Sequence, residues 1–253
     1  MRVAALYDIH GNLPALEAVL AEIDTLGCER IVAGGDLALG PCPADVLQAL
    51  ERRGDQVAFV RGNCDRDMAT VLHREPQPEH PWEDRLRWAA EQISVEQRER
   101  LGGLPLSLSL ELDGLGPTLF CHGTPRSDDE IVTRISPDSR FAGALAGVPE
   151  RVLVSGHTHV QFDRAVLGRR WINAGSVGMP YQGRPGAFWA LLGPGVEFRS
   201  TPYDSERASE RIRASGFPKA AEFALGLFVT PMSPEAASQQ FEQWAEDRAR
   251  ARS

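Results

Sequence analysis

Val3-Ala4-Ala5-Leu6-Tyr7-Asp8-Ile9-His10-Gly11-Asn12 reads as a short apolar strand that stops abruptly at a polar, glycine-bearing loop. Residues 13–26 then set Leu13, Leu16, Val19, Leu20 and Ile23 on one face of a helix, because positions three and four apart align there. The unit repeats. An apolar run at 31–33 leads into Gly34-Gly35-Asp36, a helix opening with proline is expected over 43–53, and a run at 57–60 leads into Arg61-Gly62-Asn63-Cys64-Asp65. Proline suits the first helical turn, where its missing N–H would have no partner in any case. Strand, helix, strand, helix, strand predicts a parallel sheet in an α/β protein.

Runs at 118–121, 151–154 and 171–172 read as further buried strands. Residues 106–112 alternate apolar residues with Ser and Glu, the period of a half-exposed antiparallel strand. Residues 188–192 and 196–199 flank Gly193-Pro194-Gly195 as a hairpin. A second, more antiparallel sheet is expected around residues 106–112. Between the sheets, residues 66–101 hold a proline-rich stretch at 76–81 and then a charged, Trp-bearing helix over 82–101, expected as an insertion near a site entrance. From residue 205 the chain turns helical, with a helix over 234–250, so a domain of residues 1–204 followed by a helical appendage of 205–253 is expected. Phe241 and Trp244 on that helix would cover the domain or join copies into a homo-oligomer.

With 253 residues, 42% hydrophobic and 25% charged, the chain has the composition of an ordinary globular protein. No apolar run approaches the ~20 residues of a bilayer span, and the first strand is too short for a signal peptide. A cytoplasmic protein without membrane contact is expected. Cys28, Cys42, Cys64 and Cys121 form no Cys-x-x-Cys pair and read as reduced thiols. The formal net charge of −8 argues against bulk nucleic-acid binding, which Lys and Arg drive against phosphates.

Metal-capable side chains cluster where the strands end: Asp8 and His10, Asp36, Asn63, His122, and His157 with His159. In open α/β sheets such ends converge on one crevice. Asp8 and His10, like His157 and His159, stand two positions apart, a spacing that sends both side chains to one face if the chain is extended. The mixed nitrogen and oxygen set suits Mn, Zn, Fe or Co better than Ca or Cu(I). Seven ligands are too many for one tetrahedral ion and fit two ions bridged by a carboxylate, a clamp for phosphoryl chemistry. Gly11, Gly35, Gly62, Gly123 and Gly156 adjoin these ligands, where close backbone approach favours a residue without Cβ.

The blocks Asp8-Ile9-His10-Gly11-Asn12, Gly35-Asp36, Gly62-Asn63-Cys64-Asp65, Cys121-His122-Gly123 and Gly156-His157-Thr158-His159, with Asn173-Ala174-Gly175-Ser176-Val177-Gly178 downstream, resemble the calcineurin-like metallophosphoesterases, in their small bacterial and archaeal phosphodiesterase-like branch. The resemblance spans roughly residues 1–200. It implies a four-layer αββα sandwich of two mixed sheets flanked by helices, with the metal site at the loop edge. It also implies one ion on Asp8, His10, Asp36 and His159 and another on Asp36, Asn63, His122 and His157. Asp36 would bridge them, and a hydroxide between the ions would attack phosphorus. Two divalent ions are expected, Mn first and Fe, Zn, Co or Ni as alternatives.

Asp36, Asn63, Cys64 and His122 are the expected catalytic residues. Many relatives carry histidine where this chain has Cys64, and a thiol of ordinary pKa near ~8.5 is a weaker hydrogen-bond partner than imidazole. That predicts a bias toward diesters and good leaving groups. Arg61 and Arg126 are candidate substrate contacts, each weighed against a structural ion pair, Arg126 with Asp128 or Asp129. Asn12 is expected to orient the site without touching metal. His73 and His80 face solvent or line the entrance, and Trp82, Trp88 and Tyr181 pack or stack on a nucleobase. The expected activity is hydrolysis of phosphoesters on small molecules or nucleotides. The alternatives are a phosphomonoesterase or protein phosphatase, a dinucleoside-polyphosphate hydrolase, and a binding scaffold with a weak site.

Overall fold

β1, Val3–Leu6, is buried along its whole length, and the two-residue period of a strand decides what each side chain meets. Ala4 and Leu6 enter a core shared with helices, whereas Val3, Ala5 and Tyr7 face a second sheet. The computed structural model describes residues 1–252. After β1 come α1 (Leu13–Leu26), β2 (Arg30–Ala33), α2 (Pro43–Glu51), β3 (Val57–Phe59), α3 (Asn63–Thr70), α4 (Glu83–Glu91) and α5 (Val95–Gly102). The second half runs through β4 (Ser107–Leu112), β5 (Gly116–Cys121), α6 (Asp138–Ala144), β6 (Val152–Ser155), β7 (Phe162–Val166), β8 (Arg169–Asn173), β9 (Ala187–Leu192) and β10 (Val196–Thr201). Three helices follow, α7 (Ser205–Ala214), α8 (Ala220–Phe228) and α9 (Pro234–Arg252).

The described residues form two five-stranded sheets, ordered β10-β9-β1-β2-β3 and β4-β5-β6-β8-β7. In the first, β1, β2 and β3 are parallel and β9 and β10 antiparallel. Side chains between the sheets, among them Ala5, Tyr7, Phe120, Val154, Ile172 and Ala190, form one core. The Tyr7 hydroxyl there donates to Val154 O at 3.0 Å. Outside the first sheet, α1, α2 and residues of α3, α4 and α5 pack on Leu6, Ile31, Ala33 and Trp189. Outside the second, Phe141 and Ala144 of α6 meet Leu153 and Trp171. The layers are therefore helix, sheet, sheet, helix.

The two mixed sheets that the resemblance implies are present, whereas some details read from the residues alone need correction. The second sheet is mixed: β5, β6 and β8 run parallel at its centre, with antiparallel partners only at the edges. β7 went unseen because Asp163 and Arg164 interrupt its apolar run. The helix expected over 82–101 is two helices, since Ser94 caps a new one by accepting from Gln97 N while Gln97 returns a bond to Ser94 N, a reciprocal cap that sets a fresh start. Much of 66–101 lies in the helical layer, with Leu86, Ala89, Ile93 and Leu101 in the core there.

Helices α7 and α8 bury Ile212, Phe223 and Leu227 together, with Phe217 between them and Trp88 of α4 packed against the group. Helix α9 lies on its own domain. Phe241 is buried, Glu242 accepts from Thr133 at 2.7 Å and Arg140 at 2.6 Å, and Arg248 pairs with Asp129 at 2.8 Å. No described helix is long and apolar enough to cross a membrane.

Candidate metal centre

The loops after β1, β2, β5 and β6 and the start of α3 bring all the metal-capable side chains to one edge of the sandwich. Nε2 of His159 stands 3.2 Å from Asp8 Oδ1 and 3.3 Å from His10 Nε2. His122 Nε2 lies 3.5 Å from Asp36 Oδ2 and 3.8 Å from Asp8 Oδ1, and His10 Nε2 lies 3.8 Å from Asp36 Oδ2. Three overlapping groups result, in which the ligand atoms lie within 4.8 Å of one another: Asp8-His10-His159, Asp8-Asp36-His122 and His10-Asp36-Cys64. The His157 ring is 5.1 Å from that of His122.

The expectation of extended clips fails. Asp8, His10, Asp36, His157 and His159 all hold left-handed backbone, with φ from 46° to 66°. Each such non-glycine residue costs roughly 1–2 kcal/mol, so the five cost on the order of 5–10 kcal/mol, comparable with the net stability of a domain. A dense set of bonds holds them there. The amides of Asp8 and His10 donate to Gly35 O at 3.0 Å and Asp36 O at 2.9 Å. Asp8 O accepts from Ser176 Oγ at 2.7 Å and from the Gly178 amide at 3.0 Å. Asn173 donates to Gly156 O at 2.5 Å and to Thr158 Oγ1 at 3.1 Å. The downstream Asn173–Gly178 segment is thus a strut beneath the first and last ligand loops.

Asp65 does the same for the middle loops. Its carboxylate accepts from the amides of Asp36 (2.9 Å), Leu37 (3.0 Å) and Gly62 (2.9 Å). Gly156 leaves no room at the last loop: an added Cβ would stand 2.5 Å from Asp8 Oδ2 and from the Tyr7 ring. Gly156→Ala is accordingly expected to destabilise the fold by about 1–3 kcal/mol, the usual cost of overpacking, and to weaken metal binding by displacing Asp8. Thermal melts with and without Mn check this, and an unchanged melt in both would refute it.

Backbone carbonyls orient the imidazoles. Nδ1 of His10, His122 and His159 meets Leu39 O (3.2 Å), Gly34 O (2.9 Å) and Met179 O (2.6 Å). A carbonyl only accepts, so Nδ1 carries the proton and Nε2 is presented to the cluster. Burial, and then His159, lowers the His10 pKa to about 4; burial, and then His122, does the same to His157. Burial also works to lower that of His122, but Asp36 and Asp8 outweigh it and push it up to about 10. Burial opposes ionisation of Asp36, yet His122 and His10 hold it well below the usual carboxylate range. Burial and then Asp36 raise the Cys64 thiol well above its ordinary value, so Cys64 stays protonated and donates to Asp36 Oδ2 at 3.0 Å.

Asp8 Oδ1, Asn63 Oδ1, His122 Nε2 and His157 Nε2 are buried without a hydrogen-bond partner among the described residues. A polar atom left that way costs about 1–3 kcal/mol, and four such costs in one place call for a shared partner. Oxygen and imidazole donors beside two carboxylates are a fitting set for divalent cations.

A cavity of about 240 Å³ opens beside this cluster. Neither Arg61 nor Arg126, the expected substrate contacts, lines it. Carboxylates have claimed both: Arg61 bonds Asp128 at 3.0 Å and Gly102 O, and Arg126 pairs with Glu130, not with Asp128 or Asp129. Arg66 and Arg248, which no motif singles out, stand at the cavity instead. Asn12 caps α1 by accepting from Ala15 N at 3.2 Å and donates to Gly178 O at 2.9 Å, so it braces the Asp8 loop. His80 lines the cavity mouth and His73 does not; Trp82 and Tyr181 line it, while Trp88 packs on Phe217. Helix α9, expected to cover the domain or join copies, brings Phe241 and Trp244 into the cavity wall, a place that the sequence reading did not assign them.

Comparison with known proteins agrees with this geometry. A sequence model described as the calcineurin-like phosphoesterase superfamily domain matches residues 1–192. The phosphodiesterase YfcE of Escherichia coli K12 is 27% identical over 200 residues, covering 76% of this chain and 87% of that one. A crystal structure of a hypothetical protein from Pyrococcus horikoshii superposes with a TM-score of 0.76 at 25% identity, over 90% of this chain and 97% of that one. A metallophosphoesterase from Sphaerobacter thermophilus gives a TM-score of 0.68 at 25% identity, over 94% and 99%.

Proposed function

The chain belongs to the calcineurin-like phosphoesterase superfamily, and on that basis we propose that it is a two-metal phosphodiesterase acting on small molecules or nucleotides. The observation that carries the reading is the Asp8, His10, Asp36, His122 and His159 cluster, in which Asp8 Oδ1 and His122 Nε2 are buried without partners, with Asn63 and His157 lining the same cavity edge as His10, Asp36 and His159. Asp8, His10, Asp36 and His159 would hold one divalent ion and Asp36, Asn63, His122 and His157 a second. Such ions supply Lewis-acid stabilisation of phosphoryl oxygens and make water acidic enough to act as a nucleophile. The name of the Escherichia coli relative, a phosphodiesterase, supports the substrate class.

The protein's own groups do the arranging. Carbonyls at Leu39, Gly34 and Met179 hold the Nδ1 protons, so that each Nε2 points into the cluster, where a cation would displace the proton on His122 Nε2. Asp36 receives the Cys64 amide on Oδ1 at 2.8 Å and the Cys64 thiol on Oδ2, which fixes the carboxylate plane. The thiol is weakly acidic and already engaged, so it gives little help to a poor leaving group. Diesters with acidic alcohols are then the favoured substrates.

Stripped protein reloaded separately with Mn, Co, Zn, Ni or Mg tests this on bis-p-nitrophenyl phosphate against p-nitrophenyl phosphate. With Mn, kcat/KM is expected to favour the diester by about tenfold, a difference of about 1.4 kcal/mol in transition-state binding. Monoester preference would replace the reading with a phosphatase, and no turnover with any metal would replace it with a scaffold.

A further inference from the structure

We infer that the cavity beside the ligand cluster binds a flat aromatic ring carried by the retained group of a phosphodiester, an inference that rests on the phosphodiesterase reading above. The cavity is continuous with the ligands, reaching His10, Asp36, Asn63, His157 and His159 at one end. Its other walls carry the rings of Trp82, Tyr181, Phe217, Phe223, Phe241 and Trp244 beside the charged side chains of Arg66, Asp67, Asp129 and Arg248. A phosphate needs only polar partners, so the rings are left for another part of the substrate. Apolar space that begins where a phosphoryl group would sit is space for what that group esterifies.

The rings start at the ligands themselves. Tyr181 stacks on His159, with centroids 4.8 Å apart and planes 16° from parallel. Phe241 stands 6.0 Å from His157 and 6.3 Å from Tyr181, and Trp244 meets Phe241 edge-on at 5.1 Å. Trp244 remains 44% exposed, so a wall residue of large apolar area still has surface to cover. Faces and edges at this spacing favour a planar ring over a flexible alkyl chain, because stacked and edge-to-face pairs gain from their quadrupoles as well as from burial. The charges at the cavity point the same way. Arg66 is engaged by Asp67 and Asp128, and Arg248 by Asp129, so an uncharged ring fits this end better than a second phosphate.

The test keeps the leaving group constant. Mn-loaded full-length protein is given p-nitrophenyl phosphodiesters whose retained group is ethyl, octyl, phenyl or 5′-thymidyl. The phenyl or thymidyl ester is expected to exceed both alkyl esters in kcat/KM by about tenfold, the scale of base stacking on an aromatic side chain. That ratio should collapse to within about twofold in Trp244→Ala and in the more conservative Phe241→Leu. Thymidyl above phenyl identifies a nucleoside as the source of the ring, and phenyl above thymidyl a simple aryl ester. Equal turnover of all four esters, or octyl equal to phenyl, overturns the inference and leaves the phosphodiesterase reading standing. If no ester turns over with any metal, that reading fails, and calorimetry on the same protein decides the ring site separately. Thymidine 5′-phosphate binding about tenfold tighter than methyl phosphate, and losing that margin in Trp244→Ala, sustains it; equal binding overturns it.

Discussion

Asp36→Asn is expected to lower kcat/KM on a phosphodiester by about a thousandfold or more under saturating Mn, since partners one shell further out already cost 10–100-fold when removed. Asp36 Oδ2 lies 3.5 Å from His122 Nε2 and 3.8 Å from His10 Nε2, between the two halves of the cluster. Its two oxygens also accept the amide and the thiol of Cys64. Asparagine has one acceptor where two are needed, so its NH₂ must face either a Cys64 donor or the cations. Loss of charge and loss of fit act together. Activity on bis-p-nitrophenyl phosphate, metal content by atomic emission and a far-ultraviolet dichroism spectrum check the expectation. A folded variant keeping more than about a tenth of the activity would remove Asp36 from the bridging role.

The largest structural effect is expected at a residue that touches no metal. Asp65→Ala strands the amides of Asp36, Leu37 and Gly62, each buried and each now donating to one carboxylate. Unpaired donors cost about 1–3 kcal/mol apiece, and with some water entering the space about 3–5 kcal/mol in total is expected. For a chain of this size that is a fall in Tm of about 10 °C. The β2 and β3 loops would also separate, taking Asp36 from Asn63, so the metal stoichiometry should fall with stability. Urea unfolding and equilibrium dialysis measure the two effects. A variant as stable as the parent, with full metal content, would show that the loops hold without this clasp.

The candidate cluster was legible because metal-capable side chains stand out by their chemistry: Asp8, His10, Asp36, Asn63, His122, His157 and His159 each follow an apolar run, and the loop edge gathers them. The sheets were legible as short apolar runs, since β1, β6 and β9 are buried along their whole length. What escaped was whatever depends on partners distant in sequence. Asp65 looks like an ordinary acid in the first turn of a helix, and only folding brings the Asp36 loop to its side chain. Arg61 and Arg126 were drawn to ligand-adjacent positions by sequence proximity, but Asp128 and Glu130 lie nearer in space. The left-handed ligands could not be read at all, since glycine is the usual marker of that conformation and these positions are Asp and His. Phe241 and Trp244 follow the helical period that marks packing, and nothing local says that what they pack against is a ring of histidines.

Helix α9 has a consequence for how the protein comes into being. Every strand and all seven candidate ligands are synthesised by residue 201, before Pro234 begins that helix. Domains tend to condense as their segments leave the ribosome, so a nascent chain can close both sheets and gather its histidines while one wall of the cavity is still unmade. At that stage the cluster faces open water. A protease cut in the stretch between α8 and α9, followed by release of the severed helix, would return a finished molecule to the same open-sided form, with its candidate ligands intact and Phe241 and Trp244 gone.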